Sequence, residues 1–86
     1  MSLTIDWESY IGKSALKVTK PFRAFNWCDD VQNKNLTRGE ILILVERRNG
    51  KNVWCCFDDV DECGDFDIEK SFFITEYQLK DCIELL

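Results

Sequence analysis

The sequence predicts an all-β domain of about five short strands, with a short helical turn at the N-terminus and another near the C-terminus. Three observations point there. Ile41 to Val45 is an unbroken apolar run of strand length with β-branched content, fit for a central strand buried on both faces. Asn49-Gly50 follows as a reversal in which both residues tolerate positive φ. Short apolar-polar alternations recur at close intervals, with one long early loop, the pattern of a small closed barrel. At 86 residues, with 13% aromatics and one proline, the chain reads as one folded domain with a modest core and no cleft between lobes.

Trp7, Tyr10 and Ile11 fall at helical spacing, with Thr4 or Asp6 as N-cap and Gly12 as the stop. Ala15 to Thr19 alternates Leu16 and Val18 with Lys17 and Thr19, a half-buried strand that ends before Pro21. Residues 22 to 35 lack a clean period and read as an irregular strand running into a long loop. Gly39-Glu40 turns the chain into Ile41 to Val45, and Val53 to Phe57 is the partner strand. Asp58 to Asp67 is an acidic turn, and Phe66 to Ile74 reads as a further strand. At the C-terminus two readings fit locally. Leu79, Cys82, Ile83 and Leu86 have helical spacing behind a Thr75/Gln78 capping box, while a short turn over Glu76 to Lys80 followed by a strand through Ile83 and Leu85 fits equally well.

Composition excludes several function classes. The chain has no histidine, so acid-base or nucleophilic catalysis would rest on carboxylates or on an unassisted cysteine; no enzyme is expected. Five cysteines, an odd number without a Cys-x-x-Cys pair, suit reduced thiols better than a disulfide framework or a zinc site. No cofactor or metal is expected. No stretch is apolar enough for a membrane span, and the N-terminus lacks signal-peptide character, so a cytoplasmic location is expected.

The net charge of -5 is unevenly spread: residues 1 to 52 hold nine Lys/Arg and six Asp/Glu, residues 53 to 86 two and ten. Nucleic-acid binding is disfavoured, since its one candidate patch is Lys13, Lys17, Lys20 and Arg23 among Tyr10, Phe22, Phe25 and Trp27.

Phe25-Asn26-Trp27, then Leu36-Thr-Arg-Gly39-Glu40 leading into the apolar strand, then Trp54, then Ile74-Thr75-Glu76-Tyr77 resemble, in order and spacing, the Src-homology-three (SH3) family. Their counterparts there are the Tyr-Asp-Tyr of its first strand, its Leu-x-x-Gly-Asp/Glu turn, its tryptophan after the next reversal and its Pro-x-x-Tyr. The resemblance covers residues 23 to 86. It implies an SH3-like barrel over 21–86 with residues 1–20 as an extension, and it selects the turn followed by a strand at the C-terminus. Ile74 stands where the family has proline, Cys55 where it has a second tryptophan, and the segment between Trp54 and Tyr77 is longer.

The resemblance further implies a groove for a polyproline-type peptide, formed by Phe25, Trp27, Trp54 and Tyr77, with Asp29 and Asp30 pairing with a basic ligand residue. Each ring has core packing as its other role, and for Phe25 and Trp27 the core is favoured. The expected function is therefore a protein-interaction module that binds a peptide or protein segment, with a basic partner favoured. Asp58, Asp59, Asp61, Glu62, Asp65 and Asp67 form an acidic surface that offers an alternative: an inhibitor or regulator seated on the basic site of a nucleic-acid enzyme. Residues 59–70 also resemble an EF-hand calcium loop, with Gly64 at its sixth position, but Lys70 stands where the bidentate glutamate belongs and the flanks read as strands.

Overall fold

The computed structural model describes residues 6–29 and 31–86. A 3-10 turn at Trp7–Tyr10 precedes β1 (Ser14–Val18), β2 (Phe22–Asn26), β3 (Gln32–Leu36), β4 (Ile41–Arg48), β5 (Lys51–Cys56), β6 (Phe72–Phe73), a short helix α1 (Glu76–Asp81) and β7 (Ile83–Leu85). The strands form one antiparallel sheet in the order β3-β2-β6-β5-β4-β1-β7. The fold is thus mostly β, with seven strands rather than about five.

The additional strands have a local cause. Residues 22 to 35 are not a strand running into a loop but the hairpin β2–β3. β3, Gln-Asn-Lys-Asn-Leu, is an edge strand whose only buried residue is Leu36, so it carries no apolar alternation. The strand expected over Phe66 to Ile74 contracts to Phe72–Phe73, because Ile68–Lys70 winds into a 3-10 turn with Asp67 Oδ1 accepting the Glu69 N–H (3.0 Å). Residues 14–18 are no extension: β1 pairs with β4 on one side and β7 on the other.

Where the local signals were strong, the elements follow them. Leu42, Ile43 and Leu44 are all buried, as a central strand requires. Asn49 and Gly50 have φ of 52° and 77° and link β4 to β5 in a tight reversal. The Thr75/Gln78 capping box is formed: Thr75 Oγ1 accepts the Gln78 N–H (3.3 Å) and Gln78 Oε1 accepts the Thr75 N–H (3.1 Å). It starts α1, and the chain leaves α1 directly into β7. At the other end, Asp6 holds the N-cap position of the first turn without a side-chain cap bond, and Thr4 lies outside the described residues.

The core gathers side chains from six strands: Ala15, Leu16 and Val18 of β1, Ala24 of β2, Leu36 of β3, Leu42 and Leu44 of β4, Trp54 and Cys56 of β5, and Phe72 of β6. Ile83 of β7 packs against the same cluster. A flat sheet could not bring Leu36 and Ile83, from its two opposite edges, to one cluster, so the sheet curls around it. Ladder irregularities in β1, β2 and β4 supply bend points. Among the described residues no backbone pairing joins β3 to β7, and the curl stays open.

Candidate functional site

Ala24 and Phe72 point into the core, so the two-residue period of a strand sends Phe25 and Phe73 to the other face of the sheet. The two are register partners across β2 and β6. Their rings stack with centroids 5.2 Å apart and planes 10° apart, and Trp27 meets Phe73 edge-on at 5.9 Å and 83°. All three are half-buried, so each keeps part of its surface open to solvent.

Asn26, between two of these rings, organises the surroundings. Its Oδ1 accepts the N–H groups of Cys28 (2.9 Å) and Asp29 (3.1 Å), and its Nδ2 donates to the carbonyl of Glu69 (2.8 Å). The Trp27 N–H donates to the Ser71 carbonyl (3.0 Å). One amide therefore fixes the turn that carries Asp29 and ties it to the end of the acidic segment, where Glu69 sits.

The residues expected to form a groove are only partly brought together. Phe25 and Trp27 join the ring cluster, Asp29 is exposed beside it, and Asp30 lies outside the described residues. Trp54 is elsewhere. It is 2% exposed and packs edge-on against Trp7 at 5.5 Å and 87°, inside the core and beneath the N-terminal turn. A ring so covered has no face to offer a ligand. Tyr77 is 83% exposed on α1 and, among the described residues, stacks on no other ring. Its neighbour Gln78 donates through Nε2 to the Arg23 carbonyl (2.8 Å), which moors α1 to β2. Phe73 and Asn26 are the site residues that motif matching missed. Phe73 was accessible only through register, and Asn26 through its Asx-turn potential before Cys28.

The acidic surface is a small hairpin closed by a bridge between Val60 and Phe66. Asp61 Oδ1 accepts the N–H groups of Cys63 and Asp65, both at 2.9 Å, and Asp59 pairs with Lys34 of β3 at 3.5 Å. Asp58, Asp59, Asp61, Asp65 and Asp67 line one open depression together with Lys70, and Glu62 is exposed at the loop. The calcium arrangement is not formed: among the described residues no three acidic or thiol side chains gather as ligands, and Asp61 and Asp67 are engaged with backbone N–H groups.

Burial pushes the Cys55 thiol up to about 11 and the Cys56 thiol up to about 12. Cys56 Sγ also donates to Glu40 Oε1 at 3.7 Å. Both thiols stay protonated near neutrality and are poor nucleophiles. No helix among the described residues is long and apolar enough to cross a membrane. Comparisons with protein-family models, with curated proteins and with solved structures each returned no match.

Proposed function

We propose that the chain is a non-enzymatic protein-interaction module, built on a curled sheet resembling the SH3 barrel, that binds a peptide or protein segment at the surface of Phe25, Trp27 and Phe73 beside its acidic segment. The observation that carries this reading is the joining of partly open aromatic rings and carboxylate-bearing turns around Asn26. Rings supply apolar area at low entropic cost, and the carboxylates select a basic partner. The resemblance supports the fold half of the reading: the Leu36–Glu40 turn, the β4–β5 reversal, α1 and β7 follow in the order it implies.

Titrating a labelled sample with a library of basic, proline-rich peptides tests the proposal. Chemical-shift changes should centre on Phe25, Trp27, Asp29 and Phe73, and flat titrations there across the library would remove the reading. The acid-lined depression favours a second reading, an acidic regulator seated on a basic enzyme surface. Its contact should weaken steeply between low and high salt in a pull-down, and loss of Asp58 and Asp61 should abolish capture.

A further inference from the structure

We infer that the outer edge of β7 takes up an extended segment of a partner protein as an added antiparallel strand, and that this segment carries a basic residue between two apolar ones. The edge is a surface separate from the ring cluster, with β1, β4 and β5 between them in the sheet. Its backbone is set by the pairing with β1. The Leu86 N–H donates to the Ala15 carbonyl (2.9 Å) and the Thr19 N–H to the Cys82 carbonyl (2.7 Å). Bonded pairs alternate with unbonded ones along an antiparallel ladder, and Lys17 faces Glu84, so Cys82, Glu84 and Leu86 are the residues that bond β1. Val18, which faces Ile83, is engaged on its other side: its N–H donates to the Glu40 carbonyl (2.9 Å) and its carbonyl accepts the Gly39 N–H (2.8 Å). The N–H and C=O groups of Ile83 and Leu85 therefore point away from β1, and no backbone hydrogen bond outside the ladder engages either residue among the described residues. Such a row is a template for a further strand.

The two edges of the sheet differ in their defences. On β3, Lys34 lies opposite the fully buried Ala24, so it turns a charge toward the core side, where it pairs with Asp59 at 3.5 Å. An inward charge of this kind opposes strand addition. On β7 the core side carries Ile83 and Leu85, opposite the buried Val18 and Leu16, and Leu85 is still 48% exposed. Apolar residues facing these two would cover them. The other side carries the exposed Glu84, with Lys17 facing it from β1. A residue facing Glu84 from the free edge would sit in an unbonded pair, where side chains come closest, so lysine or arginine is favoured there and an acid opposed. The same rule sets aside a second copy of the chain. Two β7 strands bond through both Ile83 and Leu85 only when Ile83 of each faces Leu85 of the other, and that register puts Glu84 opposite Glu84.

The test uses the full chain and three capped peptides: Gly-Thr-Val-Lys-Val-Thr-Gly, the same peptide with glutamate in place of lysine, and the lysine peptide N-methylated at both valines. Amide hydrogen exchange and chemical shifts report the outcome. In the free chain the Glu84 amide should exchange more slowly than those of Ile83 and Leu85. The lysine peptide should slow exchange at Ile83 and Leu85 and shift both signals. It should bind about two- to ten-fold tighter than the glutamate peptide, the span between a favourable and an opposed cross-strand charge pair. The N-methylated peptide, which cannot donate to the edge, should not bind. Glu84→Gln, at an exposed position, should bring the lysine and glutamate peptides close to parity. Equal binding of those two to the wild type, undiminished binding of the N-methylated peptide, or no change at β7 with any peptide would overturn the inference. Slow exchange at Ile83 and Leu85 in the free chain would also overturn it, and slowing that grows with protein concentration would assign the edge to a second copy. Shifts confined to Phe25, Trp27 and Phe73 would remove the β7 site and leave the ring-cluster reading standing.

Discussion

Replacing Trp7 by alanine separates a structural tryptophan pair from a ligand-binding one. Trp7 is half-buried against the core and meets Trp54 in a T-shaped contact. A tryptophan buries about 150–250 Å² when fully packed; taking about 100 Å² as the part lost on truncation of a half-buried ring, at about 25 cal/mol per Å², gives about 2.5 kcal/mol. The edge-to-face pairing adds about 1 kcal/mol. Compactness of the unfolded chain lowers the sum, so about 3 kcal/mol is expected. The exposed Glu8–Arg47 pair of the same turn, at 3.2 Å, contributes less than about 1 kcal/mol. Urea unfolding of the wild type, Trp7→Ala, Trp54→Phe and the double variant measures both quantities, the second as a coupling energy. The Trp54 indole signal should also become accessible to a soluble quencher in Trp7→Ala. Peptide-induced shifts at Phe25, Trp27 and Phe73 should persist while the variant is folded. A loss below about 0.5 kcal/mol with strict additivity refutes the packing argument. Loss of peptide binding in a folded Trp7→Ala would instead move the binding site to Trp54.

Thr75→Ala removes the oxygen that accepts the Gln78 N–H, and should cost about 1 kcal/mol in urea unfolding, with α1 amides exchanging faster. Gly50→Ala forces a side chain to a φ of 77° and should cost about 1 kcal/mol by the same measurement. The buried thiols give a pH dependence of definite sign. Their folded pKa values of about 11 and about 12 lie above the ordinary 9.0, so the unfolded chain releases these protons first. The stability they contribute is intact below about pH 9 and is lost as pH climbs through 11 to 12. Urea midpoints from pH 7 upward should fall in that window, and the fall should flatten in Cys55→Ala/Cys56→Ala; a slope unchanged by those substitutions counts against the burial argument.

The parts of the fold legible in the sequence are those in which one local signal settles one element. The run Ile41 to Val45, the Asn49-Gly50 reversal and the Thr75/Gln78 box each fix their structure through backbone preference or a hydrogen bond three residues away. β3 was illegible because an edge strand with exposed Gln32, Asn33 and Asn35 has no apolar period to read. β1 is legible as a strand from its alternation, but its place in the sheet depends on pairing with residues about 25 and about 70 positions away, at Leu42 and Leu85. The ring cluster follows the same rule: Phe25 and Trp27 belong to one local motif, while Phe73 joins them through its register with Phe25.

Trp54 shows why spacing alone misplaces a functional ring. Its distance beyond Gly39 is what suggests a binding ring, but distance along the chain does not decide which face of a strand a side chain occupies; register does. Trp54 lies opposite Leu44, which is fully buried, and so points into the core. The next ladder pair is Glu46 with Val53, so the irregularity at Val45 absorbs one residue and restarts the alternation beyond it. A slip of one residue in β5 would move Trp54 to the face now held by Val53 and Cys55 and put Cys55 in its place. The N-terminal turn opposes that slip. Trp7 needs the Trp54 ring on the inner face to make its edge-on contact, and Gly12 donates to the Leu44 carbonyl (2.7 Å), anchoring the turn to the same residue that sets the register. A docked Trp7 therefore requires Trp54 on the core side of β5.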